Sequence, residues 1–411
     1  MQAEKKLFNR DFILVVIGQI ISLFGNAILR FALPYYLLKE TGSSALFGIV
    51  TACSFLPMVI LSLVGGIIAD RTNKRNIMVI LDFVTAIIIL VFYLSLGKIP
   101  IIPLFIVALM LLYGISGAYQ PAVQASIPLL VSSDKLTVGN AIINQVNTLA
   151  NFIGPAISGV VFQFYGINPI LIVSIICFTF SAIMEIFIHI PHQKRPREVG
   201  VIAVAKNDLK DSYTFLKKEK PIFISVIFLV CIFNLVLSAV LIVGLPILIS
   251  EVLKMPDTLY GFSQSALSLG GLCGILTALV ASKLKLKNLY TLLLICSVSV
   301  LLMGISLFLE LPAIVSYWVV TVMCFVAMGV STMFVVQIYT LVQTQTPPQL
   351  VGKIMATLVA VAMCGQPIGQ MVYGILFDVF IQETWVVMFV ASIASIMISI
   401  YSKRIFQKLE I

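Results

Sequence analysis

Along the chain, apolar stretches of about twenty residues alternate with short breaks that carry charge, proline or glycine. Ile77–Leu96 and Leu289–Leu309 are typical, each holding at most one formal charge. A helix of ~20 apolar residues crosses the ~30 Å hydrocarbon core of a bilayer. A spanning segment must be a helix or part of a closed barrel, because lipid offers free backbone amides no partner. The ~10-residue alternating segments of a barrel do not occur in this sequence. The breaks mark out twelve predicted spans, at roughly residues 12–38, 45–69, 77–97, 101–130, 140–164, 168–190, 221–250, 258–282, 289–309, 313–341, 353–377 and 384–402.

Composition agrees with the pattern. Of 411 residues 60% are hydrophobic and 10% charged, where a soluble chain carries about 25% charged residues. The first span is too long for a signal-peptide core and no small-residue cleavage site follows it, so it is expected to be retained. Basic residues then set the orientation. With the N-terminus inside, 22 of the 26 Lys and Arg fall in cytoplasmic segments and only Lys39, Lys98 and Lys254 in outer loops. Both termini are therefore expected on the cytoplasmic side of a bacterial inner membrane. The net charge of +9 reads as a topology signal directed at anionic lipid, and nucleic-acid binding need not be invoked.

The same inventory argues against an enzyme. There are two histidines, His189 and His192, with no metal-ligand spacing, no paired acids and no glycine-rich phosphate loop. No cofactor is implied. The seven cysteines stand singly inside the spans and read as packing residues.

The longest polar stretch, His192–Lys220, follows six spans. It divides the chain into an N-terminal six-helix half (1–190), a cytoplasmic linker (191–220) and a C-terminal half (221–411). In the linker Leu209, Tyr213 and Leu216 at i, i+4, i+7 among lysines predict a short amphipathic helix on the inner membrane face. The halves echo each other at an offset near 212: Arg75-Asn76-Ile77 with Lys287-Asn288-Leu289, Pro155 with Pro367, Gly139 with Gly352. Six is even, so the repeat is parallel, and paired halves of that kind enclose a site exposed to each side in turn.

The loop after span 2 reads Gly66-Ile67-Ile68-Ala69-Asp70-Arg71-Thr72-Asn73-Lys74-Arg75. Gly66 lets a neighbouring helix approach, and Asp70 with Arg71 makes an ion pair at the membrane edge. This loop resembles the motif of the major facilitator superfamily, G-x-x-x-D-R-x-G-R/K-R/K. Asn73 stands at the family's glycine and is expected in a left-handed turn. The resemblance implies an all-α membrane fold of twelve helices in two parallel halves. It also implies a cytoplasmic gate formed by Gly66, Asp70, Arg71, Asn73, Lys74 and Arg75, with Asp82 paired to it. The second-half counterpart, Ser282–Asn288, keeps lysines but no acid.

In span 5, Gly154-Pro155-Ala156-Ile157-Ser158-Gly159 resembles the motif of antiporting members, G-x8-G-x3-G-P-x2-G-G, with Ala141, Ala150 and Ser158 at three glycine positions. Ala150, Gly154, Pro155, Ser158 and Gly159 would give a tightly packed, bent seam; an ordinary packing face is the other reading. Thr41-Gly42-Ser43, Phe55-Leu56-Pro57, Pro121-Ala122, Ile127-Pro128-Leu129 and Pro367-Ile368-Gly369 resemble the macrolide-efflux branch. The resemblance implies export of amphipathic small molecules by proton antiport from a monomer; siderophore or lipid export, or nutrient import, remain open.

Polar residues inside spans face the bundle interior, and here most are amides. Asn26, Gln120, Gln124, Asn144, Asn147, Asn234, Gln337 and Gln366 are the cavity candidates. Asn144, Asn147, Asn151, Gly154 and Ser158 share one helical face. Arg30 either snorkels to the outer headgroups or faces the cavity. Proton-driven relatives carry an embedded acid; Asp82 and Glu185 alone qualify here, and Glu185 is otherwise expected to snorkel near His189.

Overall fold

The computed structural model describes residues 9–132, 135–190, 212–280, 288–347 and 349–408, with the backbone alone at Leu63, Gly66, Ile67, Ala69, Asp70, Arg71, Leu279 and Val280. Twelve helices of membrane-crossing length appear among them, where the apolar runs predict them. They are α1 (Arg10–Thr41), α2 (Ser44–Arg71), α3 (Lys74–Ser95), α4 (Ile101–Leu130), α5 (Leu136–Tyr165), α6 (Ile167–Ile186), α7 (Pro221–Val252), α8 (Asp257–Val280), α9 (Leu289–Phe308), α10 (Ala313–Gln345), α11 (Val351–Val379) and α12 (Thr384–Gln407). The expected all-α membrane architecture is the one found.

Local chemistry sets the ends. Asn9 caps α1 by accepting from the Phe12 N–H, satisfying one of the free amides of a first turn. Gly42 closes α1 at φ 61, a left-handed conformation that glycine adopts without cost. The outer surface of α3 shows why the fold needs lipid. Ile80, Val84, Ile87, Val91 and Leu94, at alternating spacings of four and three, are all exposed, an apolar stripe that water would not tolerate on this scale.

The described residues form two compact units, one of 1–42 and 53–197, the other of 43–52 and 198–411. Within the first, α1 packs on α5 and α6, and α3 packs on α4 and α6. Within the second, α7 packs on α11, and α9 packs on α10 and α12. Each unit uses a glycine at its first seam. A Cβ on Gly154 would stand 2.7 Å from the Ala27 Cβ of α1, and one on Gly369 would collide with the Leu235 carbonyl of α7. Small residues at such crossings let helices gain van der Waals contact that lipid would otherwise supply.

Two π-helical turns, Asn234–Ser238 and Ile247–Val252, interrupt α7 on either side of Pro246. Such turns shift the hydrogen-bond register and concentrate at functional positions. The linker helix is present at 212–218, with Leu209 outside the described residues. Its inner face is Phe215 and Leu216, 3% and 6% exposed, while Tyr213 points outward under the Lys217 ammonium. The expected face of Tyr213 is thus corrected: Phe215 takes the buried place.

Candidate transport sites

The motif loop begins with a correction. Asn73 is not left-handed; at φ −69 and ψ 114 it is the N-cap of α3, its side chain accepting from the Arg75 N–H. Asparagine is among the preferred N-caps, so a capping residue stands where the resemblance suggested a turn glycine. The side chains of Gly66, Asp70 and Arg71 lie outside the described set, and Lys74 and Arg75 are half-buried beside them.

Asp82 turns inward from this loop. It is 2% exposed and its Oδ1 accepts from the Ser22 hydroxyl of α1 at 3.3 Å. Glu185 does not snorkel: it is fully buried in α6, and its Oε1 accepts from the Tyr119 hydroxyl at 2.7 Å. The same hydroxyl accepts from the Gln19 amide of α1, again at 2.7 Å. One tyrosine on α4 therefore ties α1 to α6. Asp82 Oδ2, Glu185 Oε2 and Gln19 Oε1 are buried without a hydrogen-bond partner. Unpaired buried polar atoms are costly, and three together mark this cluster as more than packing.

Above the cluster, unit 1 holds a recess of about 430 Å³ that Ser22, Asn26, Arg30, Asp82, Thr85, Tyr113, Ser116 and Tyr119 line. The Arg30 guanidinium lies 4.5 Å from the centre of the Tyr113 ring, a cation–π contact. Asn26 reaches Ser116 at 3.4 Å. Gln120 is half-buried and Gln124 exposed, and neither is in this lining; α4 presents Tyr113, Ser116 and Tyr119 to it instead. Gln19, Ser22 and Tyr119 were not singled out from sequence. Their signal is legible afterwards, because Gln19, Ser22, Asn26 and Arg30 run at three-four-four spacing down an otherwise apolar helix.

The polar face of α5 divides between two surroundings. Asn144 and Asn151 are exposed and Asn147 half-buried, with Asn151 donating to the Asn147 side chain at 2.9 Å. Ala150, Gly154, Pro155, Ser158 and Gly159 are buried, and the Ser158 hydroxyl donates to the Ile28 carbonyl at 3.2 Å. The motif residues thus seat α5 on α1, while the amides stay accessible.

Unit 2 has its own recess, about 500 Å³, lined by Val230, Asn234, Val335, Ile338, Tyr339, Val359, Ala362, Met363 and Gln366. Asn234, in the first π-turn, donates to the Ala362 carbonyl at 3.1 Å and accepts from Ser238 at 2.8 Å. Gln337 is half-buried and outside this lining, its place taken by Tyr339. Among the described residues no three His, Cys, Asp or Glu side chains converge as a metal-binding group.

Comparison with known proteins gives this arrangement its context. The Major Facilitator Superfamily model matches residues 15–370. Macrolide efflux protein A of Streptococcus pyogenes is 22% identical over 370 residues, 88% of each chain. The staphyloferrin A transporter of Staphylococcus aureus is 26% identical over 279 residues, 66% of each chain. The solved nucleoside transporter NupG superposes with a TM-score of 0.77 at 12% identity, covering 98% of this chain and 99% of that one. At such identity the likeness to NupG is one of fold.

Proposed function

The chain belongs to the major facilitator superfamily, and on that premise we propose that this multi-pass transporter exports amphipathic, macrolide-like small molecules. Export runs against an inward flow of protons by alternating access, from a monomer in the bacterial inner membrane with both termini cytoplasmic. The observation that carries the reading is the unit 2 recess. Its volume of about 500 Å³ falls within the ~300–1,000 Å³ of small-molecule sites. Its walls are apolar apart from Asn234, Tyr339 and Gln366. Neutral hydrogen-bonding groups on an apolar wall suit a large, mostly apolar molecule with several oxygen functions. Two relatives bear names of macrolide efflux proteins. Proton coupling is supported by Asp82 and Glu185, which are the carboxylates buried among the described residues.

Arg30 favours a second reading. An exposed guanidinium lining the unit 1 recess would suit an anionic substrate, and one relative is named a siderophore transporter. Lipid export or nutrient import use the same fold. The deciding experiment measures accumulation of a labelled macrolide in efflux-deficient bacteria expressing the chain, with and without a protonophore. Low accumulation that rises when the gradient collapses supports proton-driven macrolide export. Accumulation equal to that of empty cells removes the macrolide assignment. Selective loss of siderophore transport on Arg30→Ala would install the second reading. Asp70→Asn, at the motif acid, is expected to abolish export while the protein still reaches the membrane.

A further inference from the structure

We propose that unit 1 contains a binding site for a hard divalent cation of the calcium class, formed by Gln19, Asp82 and Glu185. It fills through the neighbouring recess and is held in competition with protons. The proposal deepens the reading above in one respect, the place where a cation enters. It is tested by equilibrium binding, so its failure and the failure of macrolide export are separate results.

The argument starts from oxygen atoms. Three helices each present one side chain, and each side chain has an oxygen to spare. Asp82 uses Oδ1 on Ser22 and Glu185 uses Oε1 on Tyr119, while Gln19 spends its amide nitrogen on Tyr119. Asp82 Oδ2, Glu185 Oε2 and Gln19 Oε1 remain buried without a donor. The hydroxyls at hand are committed, Ser181 to the Gly18 carbonyl and Tyr119 to Glu185. The recess has one basic lining residue, Arg30, and its guanidinium lies on the Tyr113 ring.

Two carboxylates in a buried place need two units of positive charge. Two protons or one divalent ion would supply it. The amide oxygen of Gln19, 0% exposed, decides for the ion. Carboxylate and amide oxygens together with water are the ligand set of calcium, whose flexible shell takes about 6–8 oxygens. The recess of about 430 Å³ gives space for the waters that would complete that shell. Gly18 makes room as well, since a Cβ there would stand 3.5 Å from the Glu185 Cγ.

The molecule carries its own control. The seam between α9 and α12 in unit 2 is the counterpart of that between α3 and α6. It is closed by serines: Ser392 donates to the Ser297 carbonyl at 3.0 Å, and the Ser297 and Ser399 hydroxyls meet at 3.3 Å. Helix packing at this position is thus achieved without acids, so the acids of unit 1 are there for something else.

The test uses the purified full-length protein in detergent, stripped with a chelator and titrated with calcium chloride by calorimetry. One site per chain is expected, with release of protons and an affinity that falls between about pH 8 and about pH 6, because ligands must be deprotonated to bind. Asp82→Asn and Glu185→Gln should each weaken binding by ~10–100-fold, and Gln19→Ala by ~10-fold, in the range seen when supporting groups are removed. Ser297→Ala should bind as the parent does. Thermal unfolding guards against misfolded variants: calcium should raise the parent's melting temperature, and sodium chloride of equal ionic strength should not. No binding up to about 10 mM calcium, well above the weak extracellular range, overturns the proposal and leaves the pair to protons alone. Unchanged binding in both acid variants, or equal stabilisation by sodium, overturns it too.

Discussion

Replacing Tyr119 by Phe removes one oxygen atom and leaves the ring, so it isolates what that hydroxyl does. Two hydrogen bonds go, each of 2.7 Å. Between helices in a bilayer such bonds average ~0.6 kcal/mol and reach ~1.7, which sets the direct loss at about 1–3 kcal/mol. Their partners, however, stay where they are. Gln19 and Glu185 are both 0% exposed, and each already holds one unpartnered oxygen. A buried polar group left without a partner costs ~1–3 kcal/mol, so the expected total is nearer about 2–4 kcal/mol. The assay is unfolding in mixed micelles followed by a thiol-reactive dye, for which half-buried Cys53 and Cys177 report on unit 1. Tryptophan fluorescence would not serve, since Trp318 and Trp385 both belong to unit 2. A loss below about 0.5 kcal/mol would mean that the hydroxyl bridges nothing, since peripheral substitutions reach that size. The cycle with Glu185→Gln is stricter: the two changes should be coupled by at least about 1 kcal/mol, and simple additivity would refute the bridge.

Three further expectations follow from the packing. Gly154→Val should push α5 off Ala27 and destabilise unit 1 by about 1–3 kcal/mol, whereas Gly352→Ala, with open space where the Cβ would go, should be neutral or slightly stabilising; the same unfolding assay compares them. Asn73→Ala should cost about 0.5–2 kcal/mol by uncapping α3, while Asn73→Asp should keep the cap; equal losses in both would show that capping is not what Asn73 does. Asn234→Leu should lower drug-stimulated transport by disturbing the π-turn and the recess together, and Asn234→Asp should restore the Ser238 bond without restoring neutrality; transport by liposomes carrying each variant distinguishes the two roles.

The helices were legible because lipid simplifies the code: an apolar run of about twenty residues has one outcome. The amides of α1, α7 and α11 that line the recesses were legible for the same reason, since a polar group in a span must face something. What sequence did not give is which polar residues meet. Asp82 and Glu185 are 103 positions apart, and their common neighbour Tyr119 is an aromatic residue that reads as core until the fold brings Gln19 to its hydroxyl. Gln337 and Tyr339 show the finer failure. They are two positions apart on α10, and which of them faces the recess depends on the rotation of the helix, set by packing and not by its own pattern. Asn73 failed for a third reason: asparagine serves both a left-handed turn and an N-cap, and only backbone angles separate them.

The accessible amides of α5 have a consequence for how the protein is made. Eleven helices are apolar enough to cross a membrane by composition, and α5, though 30 residues long, is not among them. Asn140, Asn144, Gln145, Asn147 and Asn151 each oppose transfer into hydrocarbon, where only residues such as Leu, Ile, Phe and Val favour it. Left to the translocon on its own merits, α5 would be a poor guest. One residue, Gly166, separates it from strongly apolar α6. During synthesis α5 therefore enters as the passenger of a hairpin, and its residence in the bilayer is secured when Gly154 settles on α1, which is already there.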